Sequence, residues 1–269
     1  MTTITLSDLL AQETKYNPYA FYAHLRSTEP MVYVEELDAW LLTTYEDALW
    51  LFKDPRFTKD RSKLPELEEL RDESWGMFTM RNLLMVDPPD HTRLRRLVSK
   101  AFTPRMIEHL RPQIQKITNG LLDAVQEQGA MDLIADFAYP LPLTVISDLL
   151  GIPVTDRQRF RGWTQALVDV TTEAEQRRDA IQQFLNYITS LLEEKRARPA
   201  NDLTSGLVQV EENGDQLDEH ELMSMLILLI IAGHETTVNL LGNGTLALLQ
   251  HPDQFHLLQQ HPELLPGAV

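Results

Sequence analysis

The chain contains 269 residues, of which 43% are hydrophobic and 24% are charged, a composition typical of a soluble globular protein with a sizeable core. Its 40 acidic residues exceed its 24 basic residues and give a formal net charge of −16, which argues against nucleic-acid binding. The sequence has no cysteine, so disulfides, cysteine-ligated metals and a cysteine nucleophile are excluded within these residues.

Targeting and membrane signals are not found in the sequence. The first 19 residues lack the basic stretch and apolar run of a signal peptide. The longest apolar run, Met225 to Gly233, is far shorter than the roughly 20 residues of a spanning helix. These features predict a soluble, cytoplasmic protein without a membrane segment.

Apolar spacing and helix-breaking residues predict a mainly α-helical chain that forms a single domain over residues 1–269. A short β-hairpin is predicted from Met31–Val34 and Trp40–Thr43, and Asn213–Asp215 predicts a turn. Residues 57–84 show no clear periodicity. The helices are predicted at Tyr19–Ser27, Tyr45–Phe52, Asp90–Ala101, Met106–Gln128, Leu141–Leu150, Asp156–Val170, Glu175–Arg198 and, after a cap at Asp218, up to about Gln250.

The most apolar predicted helix contains a segment that suits a helix poorly, Ala232–Thr237. A glycine costs about 1 kcal/mol against alanine, and Glu235 brings a charge between apolar flanks. An acid beside an alcohol, as at Glu235 and Thr236, can serve as a proton relay. The alternative is a helix whose polar residues simply face solvent or another helix. Because several local rules are broken together, the segment indicates a functional site.

A second group of residues follows Pro88-Pro89. His91 and Arg95 are four residues apart on one helix face, where two cationic donors repel each other unless an anion lies between them. A bound carboxylate or phosphate would suit this pair, and an ordinary solvated face is the alternative. Arg93, Arg96 and Lys100, called here the basic strip, could steer an acidic partner.

Together these segments resemble the cytochrome P-450 family of haem-thiolate monooxygenases, in particular its soluble bacterial members. The resemblance rests on Asp87–Arg95 followed by Ala101–Pro104, on Ala232–Thr237, and on the order and separation of these motifs. Asn17-Pro18-Tyr19 and the single hairpin are similar to the family's opening. The resemblance implies the family's triangular, helix-rich fold with a small β-hairpin near the N-terminus.

The resemblance also implies a cofactor, haem b, and residues that bind it. His91 and Arg95 would bind the haem propionates, which supplies the anion that their spacing favours. Ala232 and Gly233 would lie over the distal haem face near the oxygen site, and Thr236 would face the haem beside them.

The reaction implied by the resemblance is the insertion of one atom of O₂ into a small apolar substrate, with electrons from a ferredoxin-type donor. Glu235 and Thr236 would be the acid and alcohol that deliver protons. Substrate contacts would come from Trp75–Leu84 and Asp156–Glu175. The electron donor would dock near the basic strip.

One feature of the family is missing from the sequence. Family members hold the iron through a cysteine that follows a Glu-x-x-Arg helix motif, and neither occurs here. The final residues, Pro262–Val269, resemble the start of another helix, so the cysteine is expected beyond Val269 and the chain is expected to be an inactive fragment.

Three alternatives remain open from the sequence. The chain could be a truncated or degenerate, non-catalytic protein that binds haem or a lipophile. It could instead be an all-α interaction protein built on its longest helix. Finally, His234 could ligate iron through its imidazole, although it lacks any visible orienting partner.

Overall fold

The structure, a computed structural model, describes residues 4–63, 81–168, 172–212 and 214–269. These residues divide into two compact units, Met1–Lys59 and Asp60–Val269. The predicted hairpin lies in the first unit, and the two candidate site segments lie in the second. A single domain over the whole chain stays a prediction.

The first unit combines short helices with the predicted hairpin. Its elements are α1 (Leu6–Leu10), α2 (Gln12–Tyr16), α3 (Pro18–Thr28), β1 (Met31–Val34), β2 (Ala39–Leu42) and α4 (Tyr45–Lys53). The two strands are antiparallel, with Met31 opposite Leu42. Val32 alternates inward from β1 and is buried with Ile4 and Leu25 in a small apolar cluster.

The second unit is almost entirely helical in its described residues. Its elements are α5 (Asp90–Ala101), α6 (Pro104–Gln126), a π-helix (Leu133–Ala138), α7 (Pro140–Leu149), α8 (Arg157–Val168), α9 (Ala174–Ala197), α10 (Leu203–Gln209), β3 (Glu211–Glu212), β4 (Asp215–Gln216), α11 (Glu219–Gln250), α12 (Pro252–Gln260) and α13 (Leu265–Ala268). The predicted long helices are confirmed within a few residues. The π-helix, α10, α12 and the β3–β4 pair were not predicted.

The longest helix, α11, begins where its cap was predicted. Asp218 Oδ1 accepts a hydrogen bond from the Glu221 backbone N–H at 2.8 Å, and Glu221 Oε2 accepts one from the Asp218 N–H at 3.0 Å. This reciprocal capping box satisfies two backbone donors at the helix start. The acidic side chains also suit the positive end of the helix dipole.

The core of the second unit surrounds the first half of α11. Leu226 and Ile230 are fully buried, and α11 packs against α7, α9, α10 and the π-helix. Burying one such side chain contributes about 1.5–3 kcal/mol. Other core residues are Leu94, Leu97, Leu143, Leu150, Phe160, Phe184, Ile188, Leu192, Leu203, Leu207 and Met225.

By length and composition alone, α11 is able to cross a membrane, since its most apolar 18-residue window has a mean hydropathy of 1.6. No membrane-spanning helix was expected from the sequence, because the longest uninterrupted apolar run ends at Gly233. However, the first half of α11 lies in the core with Met225, Leu226 and Ile227 buried. The core helices of soluble proteins commonly meet the same composition test.

Helices α7 and α11 come close together at Gly233. A Cβ atom added to this glycine would lie 3.1 Å from the Ile146 Cδ1 atom and 3.5 Å from its Cγ1 atom. Ile146 is itself buried. The glycine therefore allows a close approach of two helices.

A buried ion pair joins the end of α9 to the start of α10. Lys195 Nζ lies 2.5 Å from Asp202 Oδ2, and both side chains are less than a tenth exposed. Asp202 also caps α10, because its Oδ1 atom accepts the Ser205 N–H at 2.8 Å. Gly151, which has a positive φ of 68°, lies directly against this pair.

We predict that Gly151→Ala destabilises the protein severely. The new Cβ would lie 2.6 Å from Lys195 Nζ and would disrupt the buried ion pair, which costs about 3–5 kcal/mol when one partner is displaced. The matched control is Gly129→Ala, since Gly129 has a φ of 65° but no atom within 4 Å of its added Cβ. The control should lose only about 1–2 kcal/mol of stability, which is the cost of the backbone strain at a positive φ. Urea unfolding measures both, and equal losses would contradict the role of the ion pair.

A second prediction concerns Gly233. Alanine favours a helix interior over glycine by up to about 1 kcal/mol, but Ile146 leaves little room for it. Gly233→Ala should therefore stabilise a variant that carries Ile146→Val, in which the Cδ1 atom is absent, and should not stabilise the parent protein. A double-mutant cycle of unfolding free energies tests this. Identical effects in both backgrounds would show that the contact is unimportant.

Candidate functional site

Helix α5 presents His91 and Arg95 on one side. His91 is half-buried and Arg95 is exposed, and neither side chain has a hydrogen-bond or ion-pair partner among the described residues. An adjacent side of α5 is buried through Leu94, Leu97, Val98 and Ala101. Two neighbouring donors without a protein partner, in a protein with a net charge of −16, form a suitable place for an anionic group.

Helix α11 changes character at Ala232. Before this position the helix is largely buried, whereas beyond it one side is open. We name this side the open stripe; its members are Ala232, Thr236, Asn239, Leu240 and Asn243, all of which are exposed. Their spacing of four, three, one and three residues places them on one helix face. The structure thus leaves one face of the predicted site segment uncovered.

The threonines of the segment bond within their own helix. Thr236 Oγ1 donates to the Ala232 carbonyl at 2.7 Å, and Thr237 Oγ1 donates to the Gly233 carbonyl at 3.4 Å. Such bonds from a threonine to the carbonyl four residues earlier are common within helices. The Thr236 hydroxyl retains acceptor capacity toward a ligand on the open stripe.

Glu235 lies beside the open stripe and is half-buried. No described residue hydrogen-bonds with its carboxylate. Successive residues of an α-helix project about 100° apart, so Glu235 and Thr236 do not face each other directly. A proton transferred between Glu235 and Thr236 would have to pass through a bridging molecule that hydrogen-bonds to both.

His234 occupies the opposite side of α11. It is only 1% exposed, its Nδ1 atom lies 2.8 Å from the Ile230 carbonyl oxygen, and its ring lies edge-on to Tyr139 at a centroid distance of 6.0 Å. These contacts explain why a histidine occurs in the core. They argue against His234 as an iron ligand, because its ring lies away from the open stripe.

Gly233 has a packing role that was not predicted from the sequence. In the structure, the Cβ direction of Gly233 is toward Ile146 of α7, so helix packing already accounts for the glycine. Its backbone nevertheless remains exposed next to Ala232.

The basic strip is partly engaged within the protein. Arg93 Nη1 lies 3.1 Å from Asp215 Oδ1, and Arg93 Nη2 forms a short hydrogen bond with Glu221 Oε1. Sequence reasoning missed this bridge, since the partners are 122 and 128 residues away along the chain. Arg96 and Lys100 are exposed.

The two segments predicted to contact substrate are only partly described. Trp75–Leu84 is described from residue 81 onward, and Asp156–Glu175 lacks residues 169–171. Within the second, Trp163 of α8 is buried against Tyr187 of α9, with ring centroids 5.3 Å apart. Tyr187 donates a hydrogen bond to Asp156 at 3.2 Å, and burial together with the Asp156 charge raises the pKa of Tyr187. Much of α8 therefore packs against α9.

The structure does not link the two candidate segments directly. Among the described residues, no hydrogen bond or ion pair joins His91 or Arg95 to the 232–236 segment. The described residues also hold no cluster of three or more histidine or carboxylate ligands that would suit a metal ion.

Comparison with known proteins identifies the family. A family model described as Cytochrome P450 matches residues 133–263. Cytochrome P450 CYP107DY1 of Priestia megaterium is 45% identical over 288 residues, covering all of this chain and 70% of the relative. The Vitamin D(3) 25-hydroxylase of Pseudonocardia autotrophica is 44% identical, covering 97% of this chain and 65% of that protein.

Solved structures of cytochromes P450 are similar to this chain in fold. The cytochrome P450 PksS of Bacillus subtilis 168 superimposes with a TM-score of 0.84 at 43% identity, covering 94% of this chain and 65% of that one. The myxobacterial CYP267B1, solved with myristic acid, gives a TM-score of 0.85 at 41% identity, covering 98% and 68%. The predicted fold is thus confirmed, and the chain spans about two thirds of the length of these relatives. The protein belongs to the cytochrome P450 family.

Proposed function

We propose that the chain forms the haem-propionate and oxygen side of a monooxygenase that inserts one atom of O₂ into a small apolar substrate. The observation that carries this proposal is the His91 and Arg95 pair, which has no protein partner among the described residues. The family to which the chain belongs is one of haem monooxygenases, and relatives such as the Streptomyces venezuelae monooxygenase PikC share 43% identity with it.

The residues present fit a haem b group. His91 and Arg95 would hold its carboxylates by charge-assisted hydrogen bonds. Ala232 and Thr236 would lie against its distal face, with the Gly233 backbone alongside. When bound and ligated by a thiolate, haem supplies the activation of O₂. The 269 residues contain no cysteine, so a thiolate ligand is not among them.

Glu235 and Thr236 would supply protons to the oxygen site. The Thr236 hydroxyl lies on the open stripe, and its proton is donated to the Ala232 carbonyl. To pass a proton to the oxygen site, the hydroxyl would accept one from a water molecule and rotate its own proton away from that carbonyl. Glu235, which has no described partner, would exchange protons with solvent. Since the two side chains diverge around the helix, a water molecule between them would complete the path.

The substrate would be a small apolar molecule. The relatives include 6-deoxyerythronolide B hydroxylase and Vitamin D(3) 25-hydroxylase, and solved relatives hold myristic acid or testosterone. Myristic acid and testosterone are mostly hydrocarbon, which favours an apolar substrate here too. The contacts would come from 75–84 and 156–175.

A ferredoxin-type protein would supply the electrons in the cytoplasm. It would dock on α5 near the basic strip, of which Arg96 and Lys100 are exposed. Charge attraction of this kind raises the rate of association.

A second candidate function is a non-catalytic binder of haem or of a lipophile. The observation that favours it is the composition itself, since a chain without cysteine cannot provide thiolate ligation. If the ligand is haem, both candidates use the same haem-binding face. They differ in catalysis, which only the monooxygenase would support.

We predict that the 269-residue chain binds haem, and that His91→Gln and Arg95→Gln each weaken this binding about tenfold or more. A hydrogen bond to a charged group contributes about 1.5–3 kcal/mol, and each 1.4 kcal/mol is a factor of ten. Absorbance titration with haemin measures the dissociation constants. The matched control is Arg111→Gln, which removes an exposed cation from α6. Equal affinities for all variants would contradict the propionate assignment.

The proton role needs a complete enzyme. We suggest a chimera in which the remaining part of the Priestia megaterium relative supplies the cysteine. With an apolar substrate chosen by its effect on the haem absorbance, Thr236→Ala should lower product formation by about 100-fold while electron consumption continues, as expected when proton delivery is lost. Thr237→Ala is the control, since its hydroxyl bonds a neighbouring carbonyl in the same way. An unchanged yield of product per electron pair in Thr236→Ala would refute this role.

A further inference from the structure

The starts of α5 and α11 are separated by a cavity. It has a volume of about 380 Å³, and its lining combines apolar side chains with polar and charged ones: Val86, Leu94, Met223, Ser224, Arg81, Asp90, Asp218, His220 and Glu221. Apolar side chains therefore do not fill the space between these two helix ends. Their separation must be maintained by other contacts around the cavity.

Arg93 provides such a contact. Its guanidinium spans from α5 to Asp215 on β4, at 3.1 Å, and to Glu221 in the first turn of α11. The side chains of Arg93, Asp215 and Glu221 are 30%, 35% and 16% exposed, so the bridge is partly shielded from water. The planar guanidinium can hold two carboxylates in a fixed arrangement, which a lysine cannot do.

Glu221 has two roles in this bridge. One carboxylate oxygen closes the capping box with the Asp218 N–H, and the other accepts the hydrogen bond from Arg93. The arginine thus holds the residue that defines the start of α11. From Glu221 to Ala232 the helix is continuous, a distance of about 16 Å.

We propose that Arg93 is a positioning residue that fixes α5 relative to α11 and so sets the place of the His91 and Arg95 face relative to the open stripe. The proposal rests on the haem site described under the proposed function. Arg93 itself touches neither candidate haem face. Its effect passes through the backbone of α5, two residues before Arg95, and through the first turns of α11.

The test uses Arg93→Gln, Glu221→Gln and the double variant of the 269-residue chain. Glutamine at position 221 can still close the capping box, so the helix start is retained while the charge is lost. We expect each single variant to weaken haem binding about fivefold and to change the circular dichroism of the haem band. The double variant should bind no more weakly than Arg93→Gln alone, because that substitution already breaks the contact with Glu221.

Two further variants separate positioning from general stability. Arg93→Lys should restore part of the affinity, because it retains the charge but loses the fork. Arg111→Gln, which removes an exposed cation elsewhere, should leave both the affinity and the haem spectrum unchanged. Urea unfolding of every variant shows whether it is folded under the titration conditions.

The outcomes are distinct. Suppose that folded Arg93→Gln keeps the haem affinity and dichroism of the parent, while His91→Gln and Arg95→Gln bind haem more weakly. This result would overturn the positioning role and leave the proposed haem site standing. Additive losses in the double variant would also overturn it. No haem binding by the parent chain would overturn both proposals, and Arg93 would then be only a structural bridge.

Discussion

The burial of the first half of α11 is the interaction on which the second unit depends. Leu226 and Ile230 are fully buried, and α7, α9, α10 and the π-helix pack around this half of the helix. The burial ends at Ala232, where one side of the same helix becomes open. The candidate oxygen site therefore lies at the boundary between a rigid, buried helix and an exposed one. A site on a rigid element can hold its side chains in a fixed geometry.

This boundary also explains residues that suit a helix poorly. Gly233 allows α7 to approach through Ile146, and His234 satisfies its Nδ1 atom on the Ile230 carbonyl. Thr236 is then the polar residue of the segment on the open face. Packing thus accounts for the glycine and the histidine of the segment. It does not account for Glu235 and Thr236, the two side chains of the proposed proton path.

Sequence patterns predicted the elements that rest on local signals. The long helices, the capping residue Asp218 and the β1–β2 hairpin follow from apolar periodicity and turn chemistry. Helix α10 was missed because it has seven residues and depends on Asp202, whose carboxylate is held by Lys195 from another helix. The Arg93 bridge was missed for the same reason, since its carboxylate partners lie more than 100 residues away. Local patterns identify a cation but cannot show whether the fold neutralises it.

The residues of helix α5 project in different directions around its axis, and each direction makes a different kind of contact. Leu94 and Leu97 anchor it in the core, Arg93 is paired with acids of β4 and α11, and the face with His91 and Arg95 has no described protein partner. Since the first two sets of contacts lie on different sides, they resist rotation of the helix about its axis. That resistance determines where the His91 and Arg95 side chains lie. Held side by side without a described protein partner, the His91 ring and the Arg95 guanidinium would donate to one anionic group under the proposed function.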